Sequence, residues 1–180
     1  MRSLTTVTVL GLLCALPAVA ASDEALVADA QATVQTFKTK APKTEKFFSS
    51  SAGYAVFPTV AKGGFIVGGA GGDGVLFVGG KPVGTANMGQ ASIGLQLGGQ
   101  TYSEIIFFED ASTLSDFKNG HFQLDAQATA VAISAGASAD ANYTRGVAVF
   151  TMTKAGLMYE ASVGGQKFTF HPVSGSTAQH

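Results

Sequence analysis

The sequence has 180 residues with 11 Lys and Arg, 12 Asp and Glu, and a formal net charge of −1. A near-neutral net charge gives no support for nucleic-acid binding, which needs a concentrated basic surface, so nucleic acid is not an expected partner. Only 13% of the residues are charged and 23 are glycine, which is typical of close-packed strands joined by tight turns.

The first 21 residues have the pattern of a Sec signal peptide. Arg2 supplies the positive start, residues 7–15 form a short apolar run, and residues 18–20 are a small-residue cleavage site. The apolar run is too short to span a bilayer. We expect cleavage after Ala20 or Ala21 and export, with the mature chain in the periplasm, attached to the envelope or secreted.

Cys14, the one cysteine of the sequence, lies inside this segment. Gly11 and Leu13 do not match the residues that precede a lipidated cysteine, so Cys14 is interpreted as part of the signal. The mature chain then has no thiol, which excludes disulfides and thiolate sites. Without Arg2 it carries ten basic and twelve acidic residues, a net charge of −2.

Two helices are predicted before the first strand. Residues 22–40 carry a weak apolar stripe at helical spacing, and the acids that follow Ser22 suit an N-cap and a first turn. Ala41 and Pro42 end this helix. Residues 43–50 predict a second, short helix with its two phenylalanines turned inward.

A strand pattern begins at Gly53. Residues 54–57 predict a strand that ends at Pro58, and residues 64–67 and 75–78 predict the two strands of a hairpin. The glycine-rich residues 68–74 between them are interpreted as its turn, and residues 80–82 as the next turn.

The middle of the chain predicts two more strands and a helix. Residues 91–97 alternate in polarity with Ala91 on the buried side, and residues 102–108 are apolar on both faces, as in a central strand. Residues 112–118 predict a helix that is capped by Ser112 or Thr113 and closed by an Asn-Gly pair.

The last third predicts a long strand at residues 124–135, with alanine along one face. A meander is predicted to follow. Its strands are residues 146–153, 157–163 and 166–170, with turns at 154–156 and 164–165.

These elements predict an α+β fold, in which N-terminal helices pack on a twisted, mostly antiparallel β-sheet or partial barrel with one short inserted helix. The predicted organisation is a signal peptide at residues 1–21, a single domain at 22–172 and a polar, flexible tail at 173–180.

Residues 69–74 match the letters G-x-G-x-x-G of dinucleotide-binding loops. A predicted strand rather than a helix follows, and no acid stands about twenty residues further on, so nucleotide binding is not expected. Two interpretations stay open: a hairpin tip, or a concavity of backbone amides that binds an anion beside Lys62 and Lys81.

The sequence predicts no catalytic residue, metal site or cofactor, and the chain is not expected to be an enzyme. His121, His171 and His180 lack metal-ligand spacing. The acid pair Glu109 and Asp110 is explained by solvation and helix capping, because no cleft partner is evident.

Lys38, Lys40, Lys43 and Lys46 lie beside phenylalanines in the predicted helices. Such a segment can anchor to an anionic membrane. A solvated face over buried aromatic rings is the alternative, and the residues alone favour it.

Several segments, in this order, resemble the SYLF (Ysc84-type) family. They are GYAVFP at residues 53–58, VAKGGF at 60–65, GGAGGDGVL at 68–76, the glycine-rich residues 83–100, SEIIFF at 103–108, VAVF at 147–150 and KAGL at 154–157. The resemblance covers about residues 25–172, and the basic patch of the family carries over at Lys62 and Lys154.

The resemblance implies an exported module that binds anionic phospholipid headgroups, of the phosphoinositide type, at a membrane surface. The family includes eukaryotic proteins that bind phosphoinositides and bundle actin in yeast, but actin is not an expected partner of an exported chain. The predicted lipid-binding residues are Lys62, Gly71, Gly72, Gly74, Lys81, Lys38, Lys43, Lys46 and Lys154. The alternatives are a structural or protein-interaction domain with an envelope protein as partner, and a carrier that encloses an acyl chain.

Overall fold

The computed structural model describes residues 18–64, 67–93, 99–125, 131–133, 142–155 and 163–173. The helices in these ranges are α1 (Ala18–Lys40), α2 (Glu45–Ser50) and α3 (Ala111–Lys118), with a 3₁₀ turn at Pro42–Thr44. The strands are β1 (Gly53–Gly64), β2 (Val67–Val78), β3 (Lys81–Ile93), β4 (Gln100–Phe108), β5 (Val131–Ile133), β6 (Val147–Ala155) and β7 (Lys167–Pro172).

The strands form one sheet in the order β5-β6-β4-β1-β2-β3-β7. Neighbouring strands are antiparallel, except that β5 is parallel to β6. The predicted α+β class, with a mostly antiparallel sheet and one inserted helix, is confirmed. The prediction that residues 102–108 form a central strand is also confirmed, because β4 lies between β6 and β1 and all seven of these residues are buried.

Both faces of the sheet are buried, and each has its own core. Val56 and Phe107 belong to the core under α1 and α2, on the side that we call the α1 face. Phe57 and Ile106 belong to the core under α3, on the side that we call the α3 face. Successive residues of a strand point to opposite faces, so the apolar runs of β1 and β4 supply both cores.

The helix α1 presents a stripe of buried residues to the sheet. They are Ala30, Thr33, Val34 and Phe37, which follow the helical spacing that the sequence predicted. The predicted N-cap at Ser22 is wrong, because the helix already runs from Ala18 through alanine-rich residues that favour it. The helix ends as predicted before Pro42, which opens the 3₁₀ turn.

Pro58 does not end β1, contrary to the prediction. The strand continues to Gly64, and its register against β4 shifts between Phe57 and Val60. This bulge accommodates a proline, which has no N–H to donate to a neighbouring strand. The Pro58 carbonyl accepts a hydrogen bond of 2.8 Å from the buried Ser103 hydroxyl.

The glycine-rich residues 68–74 lie inside β2 and are not a hairpin turn, so that prediction is wrong. Gly71 is paired with Ala61 of β1 on one side and with Gly89 of β3 on the other. The tight turn lies at Gly79 and Gly80, one residue earlier than the predicted 80–82, and both glycines have positive φ (58° and 76°) as a two-residue hairpin requires.

The alternation in β3 has the opposite phase to the one predicted. Ala86, Met88 and Gln90 are buried, whereas Ala91 is exposed. Gln90 takes the buried side because its amide Nε2 donates to the carbonyl of Gly164 at 2.7 Å. Residues 94–98 of the predicted strand lie outside the described residues.

Helix α3 begins one residue earlier than predicted and has a different cap. Asp110 is the N-cap, and its carboxylate accepts a 2.8 Å hydrogen bond from the Thr113 backbone N–H. The cap predicted at Ser112 or Thr113 is therefore wrong. The predicted end is confirmed by Asn119 at the C-cap and by Gly120 with a φ of 71°.

The first strand of the predicted C-terminal meander, β6, pairs with β4 and β5, and the last, β7, pairs with β3, whereas residues 157–162 of the predicted middle strand lie outside the described residues. Lys154 and Ala155 belong to β6 rather than to a turn, whereas the turn at residues 164–165 is confirmed by Gly165 with a φ of 78°.

Of the predicted long strand at 124–135, the structure describes strand only at β5, and Leu124 lies outside any strand. Residues 126–130 and 134–135, with most of the predicted alanine face, lie outside the described residues, as do 156–162, most of the signal segment and the tail beyond Val173.

Candidate functional site

Four lysines gather where α1 meets α2: Lys38, Lys40, Lys43 and Lys46. We call this group the basic corner. Residues 38–46 contain these four lysines and one acid, Glu45, a net charge of +3. Lys38 Nζ lies 3.2 Å from the Glu45 carboxylate, but this ion pair is partly exposed and contributes little to stability.

The basic corner packs on a group of aromatic side chains. The Phe47 ring is buried and lies 5.5 Å from Phe107 and 5.1 Å from Phe150 between centroids. The Phe48 ring is half-buried and packs edge-on against Tyr54 at 5.1 Å. The prediction that both rings turn inward is thus confirmed.

Two of the lysines also lie over these rings. Lys38 Nζ is 4.9 Å from the centroid of Phe48, and Lys46 Nζ is 4.9 Å from that of Phe47. Cation–π contact of this kind holds the ammonium groups close to the helix surface while leaving them in water.

Charge is segregated along α1. Residues 22–37 carry three acids and no base, whereas the following nine residues carry the basic corner. The acidic half faces a cleft of about 490 Å³ between α1 and the strands β2 and β3, which Asp23, Asp29 and Asp73 line. An anionic ligand is therefore repelled at one end of α1 and attracted at the other.

Two residues that line the cleft, Asp73 and Asn87, belong to a hydrogen-bonded row of polar side chains that extends to His171. Asn87 donates from Nδ2 to Asp73 at 2.6 Å, and His171 Nε2 lies 3.0 Å from Asn87 Oδ1. Among the described residues, no three His, Cys, Asp or Glu side chains are grouped so that they could hold a metal ion.

Lys81 lies at the end of the sheet that α2 covers. It is exposed and follows the Gly79-Gly80 turn directly. Tyr54, which contacts α2, stacks on Phe77 at 5.2 Å, a few residues before that turn.

Lys62 and Lys154 lie at the opposite end of the sheet. Lys62 is half-buried and pairs with Ala70 of β2, whereas Lys81 pairs with Val78 of the same strand. The two partners, Ala70 and Val78, are eight residues apart in β2, which corresponds to about 26 Å along the strand. The structure therefore does not bring Lys62 and Lys81 together in the single site that the sequence suggested.

Lys154 is exposed and extends to β1. Its Nζ donates a 3.0 Å hydrogen bond to the Thr59 hydroxyl at the bulge.

Gly71, Gly72 and Gly74, predicted to bind an anion through turn amides, are residues of a paired strand. A Cβ on Gly72 would lie 2.6 Å from the Thr59 carbonyl oxygen, so glycine is required there by close packing. The predicted concavity of free turn amides is not formed by these residues.

Glu104 is a buried acid that the sequence reasoning did not single out. Its side chain is fully buried in β4, and burial raises its pKa from the ordinary 4.5 to about 7. A hydrogen bond from Gln166 and the charge of Lys62 act in the opposite direction. The available signal was a single charge within a strand predicted to be buried on both faces.

No helix among the described residues is long and apolar enough to cross a membrane. Residues 89–172 match the model of the Ysc84 family, described as "Las17-binding protein actin regulator". A comparison with curated proteins found no significant match. The matched residues include Lys154 and Glu104, whereas the basic corner, Lys62 and Lys81 precede them.

Proposed function

Residues 89–172 of this chain belong to the Ysc84 family, and from this premise we propose that the protein binds anionic phospholipid headgroups at a membrane surface through its basic corner. The observation that carries the proposal is the segregation of charge along α1, with a net charge of +3 on residues 38–46. A polybasic surface gains about 1 kcal/mol for each lysine near an anionic leaflet.

The basic corner suits a flat, charged partner better than a small soluble one. Lys40 and Lys43 are both exposed where α1 ends and before α2 begins, so one membrane surface there can contact both ammonium groups. The acidic cleft at the other end of α1 disfavours a second anionic contact and so orients the domain on the membrane.

Lys62, Lys81 and Lys154 are proposed as secondary contacts. Because Lys62 and Lys81 are about 26 Å apart along β2, they cannot hold one headgroup together. Lys81, at the end of the sheet that carries α2, is the one we propose to extend the basic corner. A headgroup held by Lys62 or Lys154 would be a separate site.

We further propose that the protein acts as a binding module without catalytic activity and that it is exported. The export proposal is supported by the positive start, short apolar run and small-residue cleavage site of the first 21 residues. Mass spectrometry of the chain recovered from its producing cells tests it, because cleavage after Ala20 or Ala21 gives a defined new N-terminus.

Co-sedimentation with vesicles tests the lipid proposal. We expect residues 22–180 to bind vesicles of phosphatidylcholine with 30% phosphatidylglycerol, to bind pure phosphatidylcholine poorly, and to dissociate as salt rises. Lys40→Gln/Lys43→Gln should weaken binding by roughly thirtyfold, which is the effect of two charges at about 1 kcal/mol each.

The matched control is Lys118→Gln/Lys167→Gln, which removes the same charge from exposed positions far from the basic corner along the chain. Equal losses in the two double variants would show that binding follows net charge alone and would contradict the proposed site. Absence of binding to every vesicle would contradict lipid binding itself. Single variants Lys62→Glu and Lys81→Glu then decide which secondary contact exists.

The family description favours a second candidate, protein–protein interaction, because it names a Las17-binding protein that regulates actin. For an exported chain we propose an envelope protein rather than actin as the partner. A stable complex formed without lipid, and unchanged by Lys40→Gln/Lys43→Gln, would support this candidate over the first.

A further inference from the structure

A short turn at residues 163–166 closes part of the α3 face. It is tied to β3 by the 2.7 Å hydrogen bond from Gln90 to the Gly164 carbonyl. It is tied to Leu124 by two backbone hydrogen bonds, from the Gly165 N–H at 2.9 Å and to the Gln166 carbonyl at 3.1 Å. Val163 is buried beside it, so the turn is docked on the sheet rather than extended into solvent.

The third tie joins this turn to the centre of the sheet. Gln166 Nε2 donates a 3.1 Å hydrogen bond to Oε2 of Glu104, and both side chains are fully buried. Within the described residues, Oε1 of Glu104, Oε1 of Gln166 and the hydroxyl of Tyr102 have no hydrogen-bond partner. The Tyr102 hydroxyl lies close to the Gln166 amide without a hydrogen bond of acceptable geometry.

The protonation state of Glu104 decides whether this cluster is satisfied. An ionised carboxylate only accepts hydrogen bonds, so ionised Glu104 leaves Oε1 as a buried anionic atom beside another unpaired acceptor. The neutral acid has an O–H that can donate to Gln166 Oε1 or to the Tyr102 hydroxyl. A buried charge without sufficient partners is costly, whereas a neutral, hydrogen-bonded acid is not.

The groups that face Glu104 from the packed elements are few. Lys62 of β1 is the charged group that acts on it, Glu104 in turn raises the pKa of Tyr102 on its own strand, and the uncharged Thr151 is opposite it on β6. The hydrogen bond from Gln166 and the positive charge of Lys62 both favour ionisation of Glu104, but burial outweighs them and raises the pKa to about 7.

We propose that Glu104 is a proton-dependent latch for the 163–166 turn: the neutral acid stays buried beside the docked turn, whereas the ionised acid, which has no donor at Oε1, releases the turn to gain contact with water. The latch goes beyond the proposed lipid binding, which does not involve Glu104. Release opens the α3 face at the position of the turn while the antiparallel ladder around β4 stays intact. A change of roughly one pH unit around neutrality is then sufficient to change the accessibility of this face.

Amide hydrogen exchange of the whole mature chain between pH 6 and 8.5 tests the latch, with rates corrected for intrinsic exchange. The amides of Gly165 and Leu124 report the docked turn, and that of Ile106 reports the core of β4. We expect protection of Gly165 and Leu124 to fall by about tenfold or more as the pH rises, with Ile106 unchanged. Glu104→Gln, which is neutral and of the same size, should keep both amides protected throughout.

Glu109→Gln removes an exposed acid from the end of the same strand and should behave as the parent protein. Protection that is independent of pH in the parent, or that falls equally in Glu104→Gln, would overturn the latch. If Glu104→Gln does not fold, a carbon-13 titration of the Glu104 carboxyl in the parent replaces it. Its midpoint must then coincide with the loss of protection, and separate midpoints would overturn the proposal.

Discussion

Gly74 lies directly against Phe57: a Cβ built on the glycine would stand 2.6 Å from Cδ1 of the ring and 2.6 Å from the carbonyl oxygen of Val56. Both obstacles belong to β1, and one of them is backbone that cannot rotate away. Gly74→Ala is therefore expected to destabilise the fold by about 1–3 kcal/mol, the usual cost of overpacking a core. Urea unfolding at constant pH measures this change.

Gly89→Ala is the matched control, because a Cβ there meets no atom within 4 Å. It lies in β3, paired with Gly71, and should be neutral or stabilising by about 0.4–1 kcal/mol, since alanine restricts the unfolded chain. Equal destabilisation by the two substitutions would show that strand glycine is needed for flexibility rather than for close packing.

The contact between Gly74 and Phe57 also explains why the turn predicted at residues 68–74 is wrong. A run of glycines is compatible with a flexible turn and with a strand packed too closely for side chains, and residues 68–74 do not distinguish the two. The residue that packs against the glycine, which is Phe57 for Gly74, decides between the turn and the strand. The position of Lys62 relative to Lys81 was misjudged for the same reason, because a strand instead of a turn separates them.

Local patterns were predicted well where one short-range effect dominates. The stripe on α1, the end of that helix before Pro42 and the buried run of β4 all follow from periodicity or backbone chemistry. The separation of β6 from β7 was not predictable, because strand order depends on contacts between segments distant in the chain.

Asp110 caps α3 with its carboxylate, which accepts hydrogen bonds from the Thr113 N–H at 2.8 Å and from the Thr113 hydroxyl at 3.1 Å. The hydrogen bond from the Thr113 N–H is the main cause that lowers the pKa of Asp110 below its ordinary 3.8. Asp110→Ala should lower the melting temperature by roughly 2–4 °C at pH 7, because a cap is lost. Differential scanning calorimetry measures this shift.

The pH dependence of this effect has a defined sign. A group with a lowered pKa in the folded state stabilises above its unfolded pKa, and its contribution is lost as the pH falls through the folded value. The difference between the parent and Asp110→Ala should therefore shrink below pH 3.8. Asp116→Ala removes an exposed acid from the same helix without removing a cap, and a shift as large as that of Asp110→Ala would refute the assignment.

Phe107 holds α2 on the α1 face. Its ring lies 4.8 Å from Phe48 and 5.5 Å from Phe47, between centroids. Phe107→Leu keeps an apolar side chain but loses these ring contacts, so we expect a loss of about 1–2 kcal/mol in the free energy of unfolding. Faster exchange of the Ser51 amide, which donates to the Phe47 carbonyl at 3.0 Å, should accompany the loss.

Phe122→Leu provides the comparison on the opposite face. Phe122 is half-buried and contacts Phe108 at 5.6 Å and Phe168 at 5.7 Å, away from α2. The Phe122→Leu variant should have a lower free energy of unfolding. Exchange of its Ser51 amide should not become faster than global unfolding alone explains. Acceleration at Ser51 in both variants would mean that α2 is not held by Phe107 in particular.

Glu104→Gln should reduce the pH dependence of the free energy of unfolding, because burial raises the pKa of the acid that it replaces. Burial raises the folded pKa to about 7 from the ordinary 4.5, so the folded state retains a proton that the unfolded state has lost. Stability from this group is fully present below pH 4.5 and is lost as the pH rises to about 7. The loss amounts to about 3 kcal/mol, because each pKa unit corresponds to about 1.4 kcal/mol.

Glutamine removes this titration while keeping the volume and the hydrogen bond to Gln166. Urea unfolding at pH 5, 6, 7 and 8 should therefore show Glu104→Gln close to the parent at pH 5 and more stable by up to about 3 kcal/mol at pH 8. Glu109→Gln, at an exposed position, should follow the parent at every pH. Parallel curves for Glu104→Gln and the parent would mean that Glu104 is ionised in the folded protein throughout this range. In that case Oε1 of Glu104 would need hydrogen-bond donors of its own, in addition to the one that Gln166 supplies to Oε2.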